Sequence, residues 1–228
     1  MPIATRWIEI QAGFFGYLAL PPAGSGPGLV LFQEIFGVNE HIRAVAEQYA
    51  LDGFVVLAPD VFWRQAPRVE LGYEGEDRQR ALALMQAQSA PALQRDVEAA
   101  VQTLRTLPQT AGRKSGALGY CLGGRLAYVA AVHAGIDAAV PFYGGGIHTL
   151  LELAGSVRCP LQFHYAETDA NIPLDAVAHV RAALPQAEVL LYGGATHGFN
   201  CWARASYHAP SAALSHGRAL QFLSQALF

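Results

Sequence analysis

The chain has 228 residues, 52% of them hydrophobic and 14% charged, with a formal net charge of −3 at pH 7. That composition supports one sizeable core and excludes an intrinsically disordered chain, and the scattered basic residues argue against nucleic acid as the main partner. No apolar run reaches the roughly 18 residues of a membrane span. The start, Met1-Pro2-Ile3-Ala4-Thr5-Arg6, lacks a secretory profile, and Cys121, Cys159 and Cys201 are too widely spaced for a C-x-x-C pair, so a monomer with free thiols in the cytoplasm is expected.

In chain order, Arg6 to Ile10 and Phe14 to Leu20 predict a hairpin, and Pro21 to Pro27 a turn-rich break. Gly28 to Glu34 is a continuous apolar run ending on two polar residues, the pattern of a buried parallel strand that delivers side chains to a sheet edge. Val38 to Leu51 has helical spacing with Asn39 as N-cap, and Gly53 to Ala58 is the next strand, stopped by Pro59-Asp60, where Asp60 reads as a turn residue. Val61 to Gly75 has no period and is expected to cross the sheet edge as a functional loop. Two helices follow between Glu76 and Leu107, broken near Ser89-Ala90-Pro91. Arg113 to Gly119, Asp137 to Tyr143, Pro160 to Ala166 and Glu188 to Tyr192 predict strands; Cys121 to Ala134, Pro173 to Leu184 and Ala209 to Leu223 predict helices. Strands alternating with helices give an α/β fold: one domain over residues 1–228, a mainly parallel, doubly wound sheet with an N-terminal antiparallel hairpin and helices on both faces.

The chemistry centres on Gly119-Tyr120-Cys121-Leu122-Gly123-Gly124, a G-x-C-x-G pattern between a short strand and a helix. There a sharp strand-to-helix turn would lift Cys121 out of the backbone, with glycines where neighbouring backbone passes too close for a Cβ. Asp169, with Glu167 as its nearest rival, and His197 each follow a predicted strand, so thiol, acid and base reach one sheet edge in the order of the α/β-hydrolase triad. A thiol of ordinary pKa near 8.5 needs such a base, and the base needs a carboxylate to fix its tautomer. Glu34, at the end of a buried strand, is expected to face the elbow and share a proton with Cys121, while the N–H groups of Leu122 and Ile35 would form an oxyanion hole. Cys159 reads as a core residue, His164 as a satisfied core histidine, and His41, His133, His179 and His216 as surface or interhelix residues.

Gln33-Glu34-Ile35-Phe36-Gly37-Val38-Asn39, Pro59-Asp60, Arg64-Gln65-Ala66-Pro67, Gly119-Tyr120-Cys121-Leu122-Gly123-Gly124 and His197-Gly198-Phe199 together resemble the dienelactone hydrolase family, from about Phe14 to the last helix. The resemblance implies an α/β-hydrolase fold, a triad of Cys121, His197 and Asp169, and hydrolysis of an unsaturated lactone through an acyl-cysteine, with no cofactor or metal. It implies that Glu34 holds the thiol neutral at rest and takes its proton when an anionic substrate binds. Two arginines would hold the substrate carboxylate. The first falls on Arg78, with Arg80 as an alternative; the second position holds Cys201, with Arg204 close by as a substitute. Phe36, Tyr143, Cys201 and Trp202 are candidate pocket walls. A broader carboxylesterase tolerating neutral esters is the alternative reading.

Overall fold

The computed structural model describes residues 3–228. The chain opens with a hairpin of β1 (Ala4–Gln11) and β2 (Phe14–Leu20), turning where Gly13 takes φ +80°. It continues through β3 (Gly28–Phe32), α1 (Glu40–Leu51), β4 (Val55–Pro59), α2 (Gly75–Gln86), α3 (Ala90–Thr106), β5 (Ser115–Tyr120) and α4 (Leu122–His133). It closes with β6 (Ala138–Phe142), two 3₁₀ segments between Ile147 and Ser156, β7 (Gln162–Ala166), α5 (Leu174–Ala183), β8 (Glu188–Tyr192) and α6 (Ala209–Leu227).

The eight strands form one sheet in the order β1-β2-β4-β3-β5-β6-β7-β8. β1 and β2 run antiparallel and β2 meets β4 antiparallel, whereas the ladder from β4 through β8 is parallel. β3, β4, β5 and β6 are buried along their whole length, which is why they read as unbroken apolar runs; β1 and β8, at the edges, expose side chains. Right-handed crossovers send α1 to one face, because β3 to β4 steps one way along the sheet, and send α3, α4 and α5 to the other, because their steps run the opposite way. α6 returns to the face of α1, where His216 packs against Tyr49 at 5.0 Å between ring centroids.

The direction of winding reverses between β3 and β5, the two strands entered from opposite sides. At such a switch point the loops leaving adjacent strands diverge and open a crevice at their carboxyl ends. The loop after β3 carries Gln33-Glu34-Ile35, and the turn after β5 carries Cys121. As the sequence predicts, 61–74 contains no helix or strand; it crosses this edge, tied down by Asp60, whose Oδ1 accepts the Phe62 N–H at 3.1 Å and whose Oδ2 accepts the Arg68 N–H.

Candidate active site

Cys121 stands between the last residue of β5 and the first of α4 with φ +57° and ψ −115°, a conformation costly for a residue with a Cβ. The turn is forced by close packing. A Cβ at Gly119 would overlap the Gly123 carbonyl, and one at Gly123 would overlap the backbone of Phe32 and Gln33, so the helix start is pressed against both its own strand and β3. The Cys121 N–H donates to the Phe142 carbonyl at 3.1 Å, which pins the elbow to β6. The thiol is free and half-buried, and the first N–H groups of α4 have no partner within the helix.

The loops after β7 and β8 bring Asp169 and His197 to this thiol. Asp169 Oδ2 accepts from His197 Nδ1 at 2.7 Å, and its Oδ1 accepts the Asn171 N–H at 2.8 Å, so the buried carboxylate is fixed at both oxygens. Nε2 of the imidazole is thereby left free on the side of the cavity that His197 and Cys121 line together. Burial alone would drive the His197 pKa down, but the bonds and charges of Asp169 and Cys121 outweigh it and raise the value to about 10. The edge of Tyr143 packs against the ring, 5.1 Å between centroids.

Glu34 is buried and makes a different contact from the one the sequence predicts. Its Oε1 accepts from Arg204 at 2.9 Å, and its Oε2 meets no hydrogen-bond partner among the described residues, Cys121 included. Burial pushes its carboxyl pKa up, against the opposing pull of Arg204 and His197. Gln33 holds the loop: its Oε1 accepts the Val61 N–H at 3.2 Å and its Nε2 donates to the Glu34 carbonyl at 3.2 Å. Asn39 caps α1 through the Ile42 N–H at 3.3 Å and donates to Tyr73 Oη at 3.0 Å, bringing the 61–74 loop over Phe36.

Arg204 reaches the site through a chain of turns. Cys201 N–H bonds the Gly198 carbonyl at 3.0 Å, Arg204 N–H the Cys201 carbonyl at 3.1 Å, and Tyr207 N–H the Arg204 carbonyl at 3.0 Å. The guanidinium comes to rest against Gly198, where a Cβ would overlap it, and lies 5.6 Å from the Phe36 ring centroid. A cavity of about 680 Å³ opens in front of Cys121, with Ile35, Phe36, Arg78, Leu122, His197 and Arg204 on its walls. Arg80 is not among the wall residues.

Three residues proposed as pocket walls stand elsewhere. Tyr143 is wholly buried beneath His197, because the backbone turns there at φ +35° and drives the side chain inward. Cys201 is also wholly buried, under Tyr73 and Glu34, and burial raises its thiol pKa to about 11, so it is a neutral thiol. Trp202 lies outside the cavity, half exposed, with its ring 4.4 Å from that of His41. His41, expected at the surface or between helices, is buried beneath Trp202 and beside Tyr120, with its pKa lowered to about 4 by burial. Glu34, His41 and Cys201 bring one donor atom each within 4.8 Å of one another, a metal-ligating set of types, although the Glu34 charge is already met by Arg204. His164 is the satisfied core histidine expected, bonded to Tyr192 at 2.8 Å and Gln162 at 2.9 Å. No period or motif in the sequence marks Asn171 or Tyr73.

An eight-stranded, mainly parallel sheet with an antiparallel hairpin, helices on both faces and an elbow after β5 defines an α/β-hydrolase fold. Residues 14–227 match the dienelactone hydrolase family, and the chain belongs to that family. A carboxymethylenebutenolidase from Pseudomonas putida is 36% identical over 228 residues, covering 96% of each chain. Carboxymethylenebutenolidase 1 of Cupriavidus pinatubonensis is 36% identical over 168 residues, covering 73% of this chain and 71% of its own. Among solved structures, a dienelactone hydrolase-like promiscuous phosphotriesterase from metagenomic libraries superposes with a TM-score of 0.85 at 22% identity over the whole of both chains. The family places the chain among hydrolases.

Proposed function

We propose that the protein hydrolyses a carboxylated lactone or ester, a dienelactone first among them, through a covalent acyl-cysteine at Cys121, acting as one domain. The observation that supports this most is the grouping of thiol, imidazole and carboxylate at the head of the cavity: His197 is bonded to Asp169 and lines the cavity together with Cys121.

In this reading His197 takes the thiol proton as the sulfur attacks, and Asp169 stabilises the resulting imidazolium. The sulfur attacks the carbonyl carbon, and the N–H groups of Leu122 and Ile35 receive the oxygen as it gains charge. The ring C–O bond breaks and the departing enolate oxygen or carbon takes up the proton held by His197, which returns the imidazole to its neutral form. Water then attacks the thioester with His197 as base, giving the acid and restoring the thiol. Arg78 and Arg204 border the cavity and would hold the substrate carboxylate. When Arg204 turns to that carboxylate, Glu34 loses its counter-charge in a buried setting, and its affinity for a proton rises. Glu34 thereby becomes the group that can accept a proton when an anionic substrate is bound.

Cys121→Ala should lower turnover of a dienelactone by about 10⁴-fold or more, read by the loss of its ultraviolet absorbance. Undiminished turnover would sink the proposal. The neutral methyl ester of the same lactone separates this reading from a broader carboxylesterase: Arg78→Ala should raise KM for the anion and leave the methyl ester unaffected, and equal effects on both would favour the broader enzyme.

A further inference from the structure

We infer that the physiological substrate carries an extended apolar arm, lodged in a groove along α4 that begins at the thiol; this rests on the reading of Cys121 as nucleophile. A cavity of about 680 Å³ lies within the ~300–1,000 Å³ that holds drug-sized ligands, and a bare dienelactone seated at Cys121 would leave most of it unfilled. The excess space has a direction. Leu122, Leu126, Val129 and His133 all line it, and residues spaced by three or four lie on one side of a helix. From Leu122 to His133 that side runs about 16 Å at 1.5 Å per residue.

The opposite walls are built from three separate elements: Met85 from α2, Leu93 from α3, and Leu150 and Leu153 from the segment after β6. Carbon-lined walls converging from so many elements on a strip that starts at the reactive sulfur are the mark of a substrate channel rather than of scattered surface hydrophobes. Arg78 and Arg204 line it with Phe36, suited to a carboxylate, and Leu126, Val129 and Leu153 supply apolar wall, with Gln88, Gln94 and Arg125 also on its surface. His133 bounds the far end, and Arg125 crosses beside Gly146. The matching ligand is an ester or lactone with a polar, anionic reacting end and a medium-length hydrocarbon or aryl arm. The arm can be attached on the acyl or the alcohol side of the scissile bond, since both substituents flank the carbonyl at Cys121.

The experiment measures kcat/KM for 4-nitrophenyl acetate, butyrate and octanoate, and in parallel for ethyl, butyl and octyl acetate. The wild-type constant should rise in at least one series, by up to about fourfold per added methylene until the groove is filled. Val129→Trp, which fills the middle of the groove, should cut the octyl-to-acetyl (or octyl-to-ethyl) ratio at least about fivefold. Leu153→Trp gives the same test from the opposite wall if Val129→Trp does not fold, as judged by its melting curve. Constants that fall with chain length in both series, or a ratio that neither tryptophan moves, would overturn the inference. Cys121→Ala keeps the two questions apart: if it abolishes turnover while chain length has no effect, the groove is wrong and the cysteine chemistry stands.

Discussion

At the scale of single residues, the ion pair of Glu34 and Arg204 governs the site's electrostatics. Glu34 is buried and Arg204 is partly exposed, so removing the arginine strands a carboxylate in an apolar setting while removing both does not. Arg204→Leu should destabilise the protein by about 2–4 kcal/mol in urea unfolding, and Glu34→Leu combined with Arg204→Leu should cost less than the sum of the single changes. Additive losses would show that the two groups act independently. Cys121, Asp169 and His197 could be picked out in the sequence because each lies within a few residues of the end of a recognisable strand. Arg204 could be read only as a residue near the second arginine position; its pairing with Glu34 could not, since it depends on three successive turns between Gly198 and Tyr207 that carry no periodic signal. The same turns bury Cys201 and lift Trp202 outward, which is why neither lines the cavity as the sequence predicts.

At the scale of elements, the strand-turn-helix of β5 and α4 depends on backbone meeting backbone. Gly123→Ala should cost about 3 kcal/mol and lower the melting temperature, because its Cβ meets the carbonyl of Phe32 and no flexible side chain can give way. Gly155→Ala, where a Cβ meets open space, should leave the melting curve unchanged. Equal melting of the two variants would contradict this account of the elbow. The glycines of this motif were legible because their chemistry is local. So were the central strands, since burial on both faces leaves no polar position in them. α6 runs to Leu227 rather than Leu223, because Leu223 and Leu227 continue one buried stripe past the expected end. The short 3₁₀ segments between Ile147 and Ser156 had no legible signal, being too brief to show a period.

At the scale of the whole molecule, two buried histidines set the acid limit. His41 and His164 fold with pKa values lowered by burial to about 4 and about 3, whereas in the unfolded chain each titrates near 6.5. Below about pH 6.5 the unfolded chain therefore binds protons that the folded chain refuses, and stability falls as pH drops toward 4. His41→Phe should remove its share, so the loss of unfolding free energy between pH 7 and pH 5 becomes smaller by about 1.5–2 kcal/mol. An unchanged pH dependence would mean that His41 is protonated in the folded state. His197 works in the opposite sense: its raised pKa gives stability that is full below about pH 6.5 and lost as pH climbs toward 10.

These scales meet in the thiol at the head of α4, held at a strained bend on the cavity that His197 also lines. The most direct test is rapid quenching of the enzyme with excess dienelactone, followed by peptide mass spectrometry. The account predicts that the peptide containing Cys121 gains the mass of the opened lactone within the first turnover and that Cys159 and Cys201 do not. Full product formation with Cys121 unmodified at every time point, in an enzyme whose Cys121→Ala variant turns over equally well, would contradict it.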